Sequence, residues 1–279
     1  MSSPGPAPKL VASDVDGTLI DSAERVPARL REVITRMTAQ GAVMALSTGR
    51  PARWIFNVLE QLPVRPVCVC ANGAVIYDSA EDRILKAHTL APEVMVSVVG
   101  LARAALAEHG GVSFAVERAG TSAFDNVDEL FLVTPEYSHA WPTLDDHGVV
   151  SLDTLISEPA TKLLLRSDFL ESKEMFDLIR PAIPEEMAHV TFSMSGGLLE
   201  VAAPGVTKAL GVAYLAELLG VEQSDVITFG DMPNDIEMLQ WAGRGVAMGN
   251  ARPEVKAVSD HVTTTNDEAG VAEVLEWWF

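Results

Sequence analysis

Two rhythms of apolar residues alternate along the chain. Leu10–Ser13 is a short run with the pattern of a buried strand. Leu30, Val33, Ile34 and Met37 then recur at helical spacing, with Pro27 near the start and Gly41 at the end. Val43–Leu46 is a second apolar run, stopped by "STGRP". A helix is predicted from Ala52 to Leu62 and a strand over Val67–Ala71. Strand and helix in this alternation predict a parallel α/β sheet with helices on both faces.

The rhythm returns towards the C-terminus. A helix is predicted over Val206–Leu219, with Leu210, Ala213, Tyr214 and Leu218 on one side and Gly220 closing it. A strand over Val226–Phe229 ends in "GDMPND"; a helix over Ile236–Trp241 and a strand over Gly245–Met248 follow. A last helix over Asp267–Trp278 is opened by "NDE", which supplies an N-cap and first-turn acids. The terminal "WWF" is expected to dock that helix as an aromatic patch.

The middle of the chain reads differently. Helices are predicted over Pro92–His109 and Glu171–Ile179, and strands within "VSFAVE", "GVVSLDTL", "TKLLLRS" and "HVTFSMS". Loop-rich interruptions such as "SHAWPTLDDHG" separate them, as in an antiparallel α+β unit. The expected organisation is a Rossmann-like core from residues 1–86 and 195–279, with an α+β domain inserted at 87–194.

Composition narrows the function classes. With 39 acidic and 20 basic residues the net charge is −19, which argues against a nucleic-acid or anionic-membrane partner. A phosphorylated substrate stays open, because a metal and a few local cations outweigh an average field. No apolar run approaches the roughly 18 residues of a spanning helix. "MSSPGPAPK" lacks the basic and apolar segments of a signal peptide, so a soluble, cytoplasmic protein is expected. Cys68 and Cys70 alternate with Val67 and Val69, a spacing unsuited to a mutual disulfide, and are expected as small buried residues. The six histidines are scattered without metal-ligand spacing.

Four polar clusters follow predicted strands or open helices: Asp14/Asp16, Ser47–Arg50, Lys208, and Asp231–Asp235. Ligands of open parallel sheets bind beyond the carboxyl ends of the strands, so all four are expected to meet in one crevice. "DVDGT" ends an apolar strand on two carboxylates, which repel one another and need donors or a cation. A turn-or-cap role explains Asp231 or Asn234 singly, but not that double acid. A calcium loop counted from Asp14 would need a bidentate Glu where Arg25 stands. Oxygen-only ligands favour Mg²⁺. Thr48 and Gly49 offer a hydroxyl and backbone N–H groups to a phosphate oxygen. Lys208 reads alone as a solvated helix lysine, but in this company it offsets carboxylates and phosphoryl charge. Arg50 reads equally as a surface residue or a substrate contact. Asn72 and Gly73 either line the crevice or form a tight turn. Neither a P-loop nor a G-x-S-x-G elbow is present.

"DVDGT", "STGR", "GVTK" and "GDMPND", in this order, resemble the four motifs of the haloacid dehalogenase-like phosphatases. "CANGA" and "TTTNDEAGVAEVLE" resemble the Cof-type subfamily, whose α+β (C2-type) cap is inserted between the second and third motifs. The resemblance implies a Mg²⁺-dependent phosphomonoester hydrolase acting on a small phosphorylated metabolite such as a sugar phosphate. It implies Asp14 as the nucleophile that forms an aspartyl-phosphate, and Asp16 as acid/base. Thr48 and Lys208 match phosphate-binding positions, and Asn234 is expected to approach the phosphate. Asp231 matches the Mg²⁺ ligand beside Asp14 and the Asp16 carbonyl, with Asp235 supporting that shell. The cap is expected to close over the crevice and select the substrate. The alternatives are a phosphotransferase or phosphomutase of the same superfamily, and a phospho-accepting receiver module. Motif order and the inserted domain disfavour the receiver.

Overall fold

The computed structural model describes residues 5–139 and 147–279. Within "SHAWPTLDDHG", residues 140–146 lie outside these, as do residues 1–4 of the N-terminal stretch. The chain forms two compact units, Met1–Leu85 with Thr207–Phe279, and Lys86–Val206.

The first unit is built on β1 (Leu10–Ser13), β2 (Val43–Ser47), β3 (Val67–Cys70) and β4 (Val75–Asp78), with β5 (Arg83–Ala87) running from it into the second. The second unit contributes β6 (Ser113–Glu117), β7 (Phe131–Val133), β8 (Gly148–Val149), β9 (Lys162–Arg166), β10 (His189–Thr191) and β11 (Leu198–Ala202). The chain then returns through β12 (Val226–Gly230), β13 (Arg244–Ala247) and β14 (His261–Val262). Among the described residues the first sheet has the order β14-β13-β12-β1-β2-β3-β4-β5. Pairings from β14 to β3 are parallel, and β4 turns back antiparallel on β3.

Every residue of β1 is buried, as its unbroken apolar run predicts, and β1 lies in mid-sheet. β2 and β3 lie to one side of it and β12 to the other, which makes the end of β1 a topological switch point. Ser13 pairs with both Phe229 and Leu46, so Asp14, the residue after β1, is level with the ends of β12 and β2. Register alone therefore brings three of the four polar clusters together.

Helix Ala28–Ala39 buries Leu30, Val33, Ile34 and Met37, as their spacing predicts. Helix Lys208–Leu219 departs from expectation. Its buried face is Lys208, Gly211, Val212, Leu215 and Ala216, whereas Leu210 and Leu218 are exposed. The helix is apolar nearly all round, so period alone did not select a face. Close approach did: a Cβ on Gly211 would stand 2.2 Å from Val69 Cγ1. The helix expected over Ala52–Leu62 is broken into a 3₁₀ turn, Ala52–Trp54, and one α turn, Phe56–Leu59. The Trp54 carbonyl accepts from the Arg50 guanidinium, and Pro51 precedes the turn. The last helix is shorter than expected: Ala269 adopts a left-handed φ of 59° between a 3₁₀ turn and Gly270–Leu275. Its entry is capped by Thr265 in a capping box with Glu268, one residue before "NDE". The aromatic terminus stacks on Arg244, whose guanidinium carbon is 5.3 Å from the Trp278 ring centre.

The second sheet has the order β10-β11-β9-β6-β7-β8 and is antiparallel except at β7–β8. Phe114, Val116, Leu163, Leu165, Leu199 and Val201 pack one of its faces against helices Pro92–Ala105 and Ser172–Ile179. Two expectations need correction. "GVVSLDTL" is a strand only over Gly148–Val149, because Ser151 accepts from the Thr154 N–H and caps the short helix Leu152–Leu155. The insertion does not end at 194. β11, which pattern reading missed, pairs with β9 and β10 and carries the second unit to Val206. Cys68 and Cys70 are buried and not joined by a disulfide. Among the described residues no helix is long and apolar enough to cross a membrane.

Phe114 is fully buried in the second unit. Phe114→Ala is expected to cost about 3–5 kcal/mol, read as a lowered denaturant midpoint; an unchanged midpoint would contradict this packing.

Candidate active site

The polar clusters of the first unit are joined by hydrogen bonds at the carboxyl ends of β1, β2 and β12. Lys208, in the first turn of its helix, has a side chain only 1% exposed. The solvated-lysine alternative is thereby excluded. Its Nζ donates to Asp14 Oδ1 and to Asp235 Oδ1, each at 2.6 Å. Thr207 fixes the start of that helix by accepting from the Leu210 N–H at 3.2 Å. Asp235 turns its other oxygen to the backbone N–H groups of Asp231 (2.9 Å) and Met232 (3.0 Å). It thus ties "GDMPND" to the lysine and sets the direction in which Asp231 leaves the chain.

Asp231 Oδ1 accepts from the Thr18 hydroxyl at 3.1 Å. Gly17, between the two motif acids and Thr18, has φ +72°, and a Cβ there would lie 2.5 Å from Asp231 Oδ2. Both the turn and the approach of Asp231 require glycine at this position. Asn250 was missed by sequence reasoning. It donates to the Gly17 carbonyl at 2.8 Å and accepts from the Asn266 N–H at 3.1 Å, clamping "DVDGT" from the far side. A lone Asn after Gly249 carries no spacing signal that would single it out.

Thr48 is fully buried, and its N–H donates to the Val69 carbonyl at 2.8 Å. Its hydroxyl accepts from the Arg50 N–H at 3.1 Å. Gly49 lies between the two, but no sustained helix follows. The expected helix N-terminus is a single 3₁₀ turn. Arg50 extends its guanidinium to Asp16: Nε donates to Oδ2 at 2.8 Å and Nη2 to Oδ1. Asp14 and Asp16 are thus held by different cations, Asp14 by Lys208 in the interior and Asp16 by Arg50 at the surface.

The "CANG" turn is part of the same assembly. Ala71, Asn72 and Gly73 all have positive φ (52°, 56° and 96°). The Asn72 N–H donates to the Thr48 carbonyl (3.0 Å) and the Ala71 N–H to the Arg50 carbonyl (2.9 Å). Asn234 Nδ2 donates to Asn72 Oδ1 at 3.0 Å, while Asn234 Oδ1 is buried without a hydrogen-bond partner among the described residues. The turn therefore lines the site as well as reversing the chain.

Asp14, Asp231 and Asp235 are buried, and one oxygen of each lies within 4.8 Å of the others. Lys208 faces this group with a single positive charge. Burial pushes the Asp14 carboxyl well above the usual range; Lys208 opposes this, and Asp235, Asp231 and Asp16 add to it. Burial and then Asp235 push Asp231 up to about 7, against Lys208 and the Thr18 hydrogen bond. Burial would lower the Lys208 ammonium, but Asp14 and Asp235 outweigh it and hold the pKa above its ordinary value. The cluster is short of positive charge. A hard divalent cation among these oxygens would supply what is missing, so the donor set fits Mg²⁺.

A family model described as haloacid dehalogenase-like hydrolase matches residues 11–275. A 5-amino-6-(5-phospho-D-ribitylamino)uracil phosphatase of Bacillus subtilis is 28% identical, with 98% of each chain covered. An HMP-PP phosphatase of Cronobacter sakazakii is 28% identical, covering 97% of this chain and 95% of that one. A crystal structure of a haloacid dehalogenase-like hydrolase from Bacteroides thetaiotaomicron superposes with a TM-score of 0.68 at 27% identity, over 96% of this chain and 98% of that one.

The electrostatics give a signed expectation. A carboxyl raised from 3.8 to about 7 in the fold makes the folded chain bind more protons than the unfolded chain between those values. The Asp231 contribution to metal-free stability is therefore full below that window and lost as pH rises through it. Mg²⁺ is expected to raise the melting temperature more at pH 8 than at pH 5, and Asp231→Asn to remove most of that difference. Equal shifts at both pH values would contradict the charge deficit.

Proposed function

The chain belongs to the haloacid dehalogenase-like hydrolases, and from that premise we propose that it is a Mg²⁺-dependent phosphomonoesterase working through an aspartyl-phosphate. The observation that carries this reading is the buried Lys208 ammonium shared by Asp14 and Asp235 at the end of β1. It orients the Asp14 carboxyl and opposes the rise that burial imposes on it, beside a cluster that lacks positive charge.

In this reading an Asp14 oxygen attacks phosphorus, forming a new P–O bond as the bond to the leaving oxygen breaks. Asp16 gives that oxygen its proton, so an alcohol departs. A water then attacks the phosphorus and passes a proton to Asp16. The bond to Asp14 breaks, releasing inorganic phosphate and restoring both carboxyl groups. Thr48, Gly49, Lys208 and Asn234 hold the phosphoryl oxygens, and Lys208 offsets their charge alongside that of Asp14. Asp14, Asp231 and the Asp16 main-chain carbonyl would hold Mg²⁺, with Asp235 orienting Asp231. Bound there, the ion supplies electrostatic stabilisation of the transferring group. The substrate class is a small phosphorylated metabolite of the sugar or polyol phosphate kind. The phosphoribityl group named for the Bacillus subtilis relative supports that class.

Asp14→Asn is expected to reduce phosphate release from p-nitrophenyl phosphate to background, because an amide oxygen is a poor nucleophile. Excess EDTA should stop the wild-type reaction and added Mg²⁺ restore it. Turnover by Asp14→Asn near that of wild type would overturn the nucleophile. Full activity in EDTA would overturn the metal requirement.

A further inference from the structure

Asp16 and Asp14 stand two residues apart, yet they are held in opposite ways. Asp14 is buried, whereas the Asp16 side chain is 56% exposed on a turn that ends in a left-handed glycine. An exposed carboxylate with two free torsions samples several rotamers, and proton transfer to a leaving oxygen requires one of them. Something has to select it.

Arg50 meets both oxygens of Asp16 at once, Nε on Oδ2 and Nη2 on Oδ1, the paired geometry that fixes the plane of a carboxylate. The guanidinium is itself fixed. Its side chain is 20% exposed, and Nη1 donates to the Trp54 carbonyl at 3.2 Å. The Arg50 backbone is anchored at both ends, its N–H on the Thr48 hydroxyl and its carbonyl accepting from Ala71. The fork is seated on the phosphate-side loop and reaches across to the turn after β1. A lysine has the charge but not the fork, and would leave the carboxylate plane free.

Resting on the phosphomonoesterase reading above, we propose that Arg50 is a positioning residue that acts through Asp16, holding its carboxylate in the orientation used for proton transfer. It contributes to kcat by orientation and not through contact with the substrate.

A double-mutant cycle with p-nitrophenyl phosphate tests this, using wild type, Arg50→Ala, Asp16→Ala and the double variant. Misplacing an acid/base group forfeits part of a contribution of about 10²–10⁴-fold. Arg50→Ala is therefore expected to lower kcat by roughly tenfold or more with KM nearly unchanged. In the Asp16→Ala background the same change should cost less than about twofold, because two residues acting as a unit are not additive. Arg50→Lys should behave like Arg50→Ala. Equal losses in both backgrounds, a rise in KM with kcat preserved, or full rescue by Arg50→Lys would each overturn the proposal. Melting temperatures, with Mg²⁺ present, identify a variant that fails to fold; if Arg50→Ala does, Arg50→Lys carries the cycle. Wild-type protein inert towards this ester would count against the phosphomonoesterase reading itself, a failure distinct from additive losses.

Discussion

One ammonium group placed between two buried carboxylates organises the first unit. Lys208 Nζ lies 2.6 Å from both Asp14 and Asp235 with almost no access to solvent. Charges taken out of water are tolerated only with close partners, and removing one member of such a group costs about 3–5 kcal/mol. The fold therefore has to deliver the lysine to one place. It does so through helix Lys208–Leu219, begun by the Thr207 cap and pressed onto β3 at Gly211. Gly73 makes the same demand from the other side: a Cβ there would lie 2.0 Å from the Thr207 carbonyl oxygen. Packing of small residues against backbone thus fixes where a charge ends up.

The lysine leaves a remainder. Three buried carboxylates face one cation, and burial, with their mutual repulsion, raises the carboxyls of Asp14 and Asp231. In the proposed reaction, a cation and a phosphoryl group would together complete a site left electrostatically incomplete by its own residues. Thr18, Asn250 and Gly17 hold Asp231 and the turn after β1 in place. Arg50 takes charge of the remaining carboxylate at the surface. Stability and proposed chemistry draw on the same few contacts.

Much of this was legible in the order of the residues. β1 and helix Ala28–Ala39 follow from unbroken and periodic apolar positions. The convergence of Asp14, Thr48 and Asp231 follows from parallel pairing at a switch point. What escaped was set by packing. The buried face of helix Lys208–Leu219 depends on a glycine meeting Val69, which apolar period cannot show. The break at Ile55 accompanies a guanidinium taking the Trp54 carbonyl, a contact between side chain and backbone without sequence periodicity. β11 was hidden because "GGLLEVAA" lacks strict alternation, being buried along its whole length. Asn250 is a single polar residue whose role exists only once two loops have met.

The most direct test of the proposed role of Asp14 is to look for phosphate on it. Protein in excess over a radiolabelled phosphomonoester, with Mg²⁺, is quenched in acid within a single turnover, digested and sequenced by mass spectrometry. The account predicts label, removable by hydroxylamine as an acyl phosphate is, on the peptide carrying Asp14. Rapid release of phosphate with no label on that peptide, or with label on another residue, would contradict it.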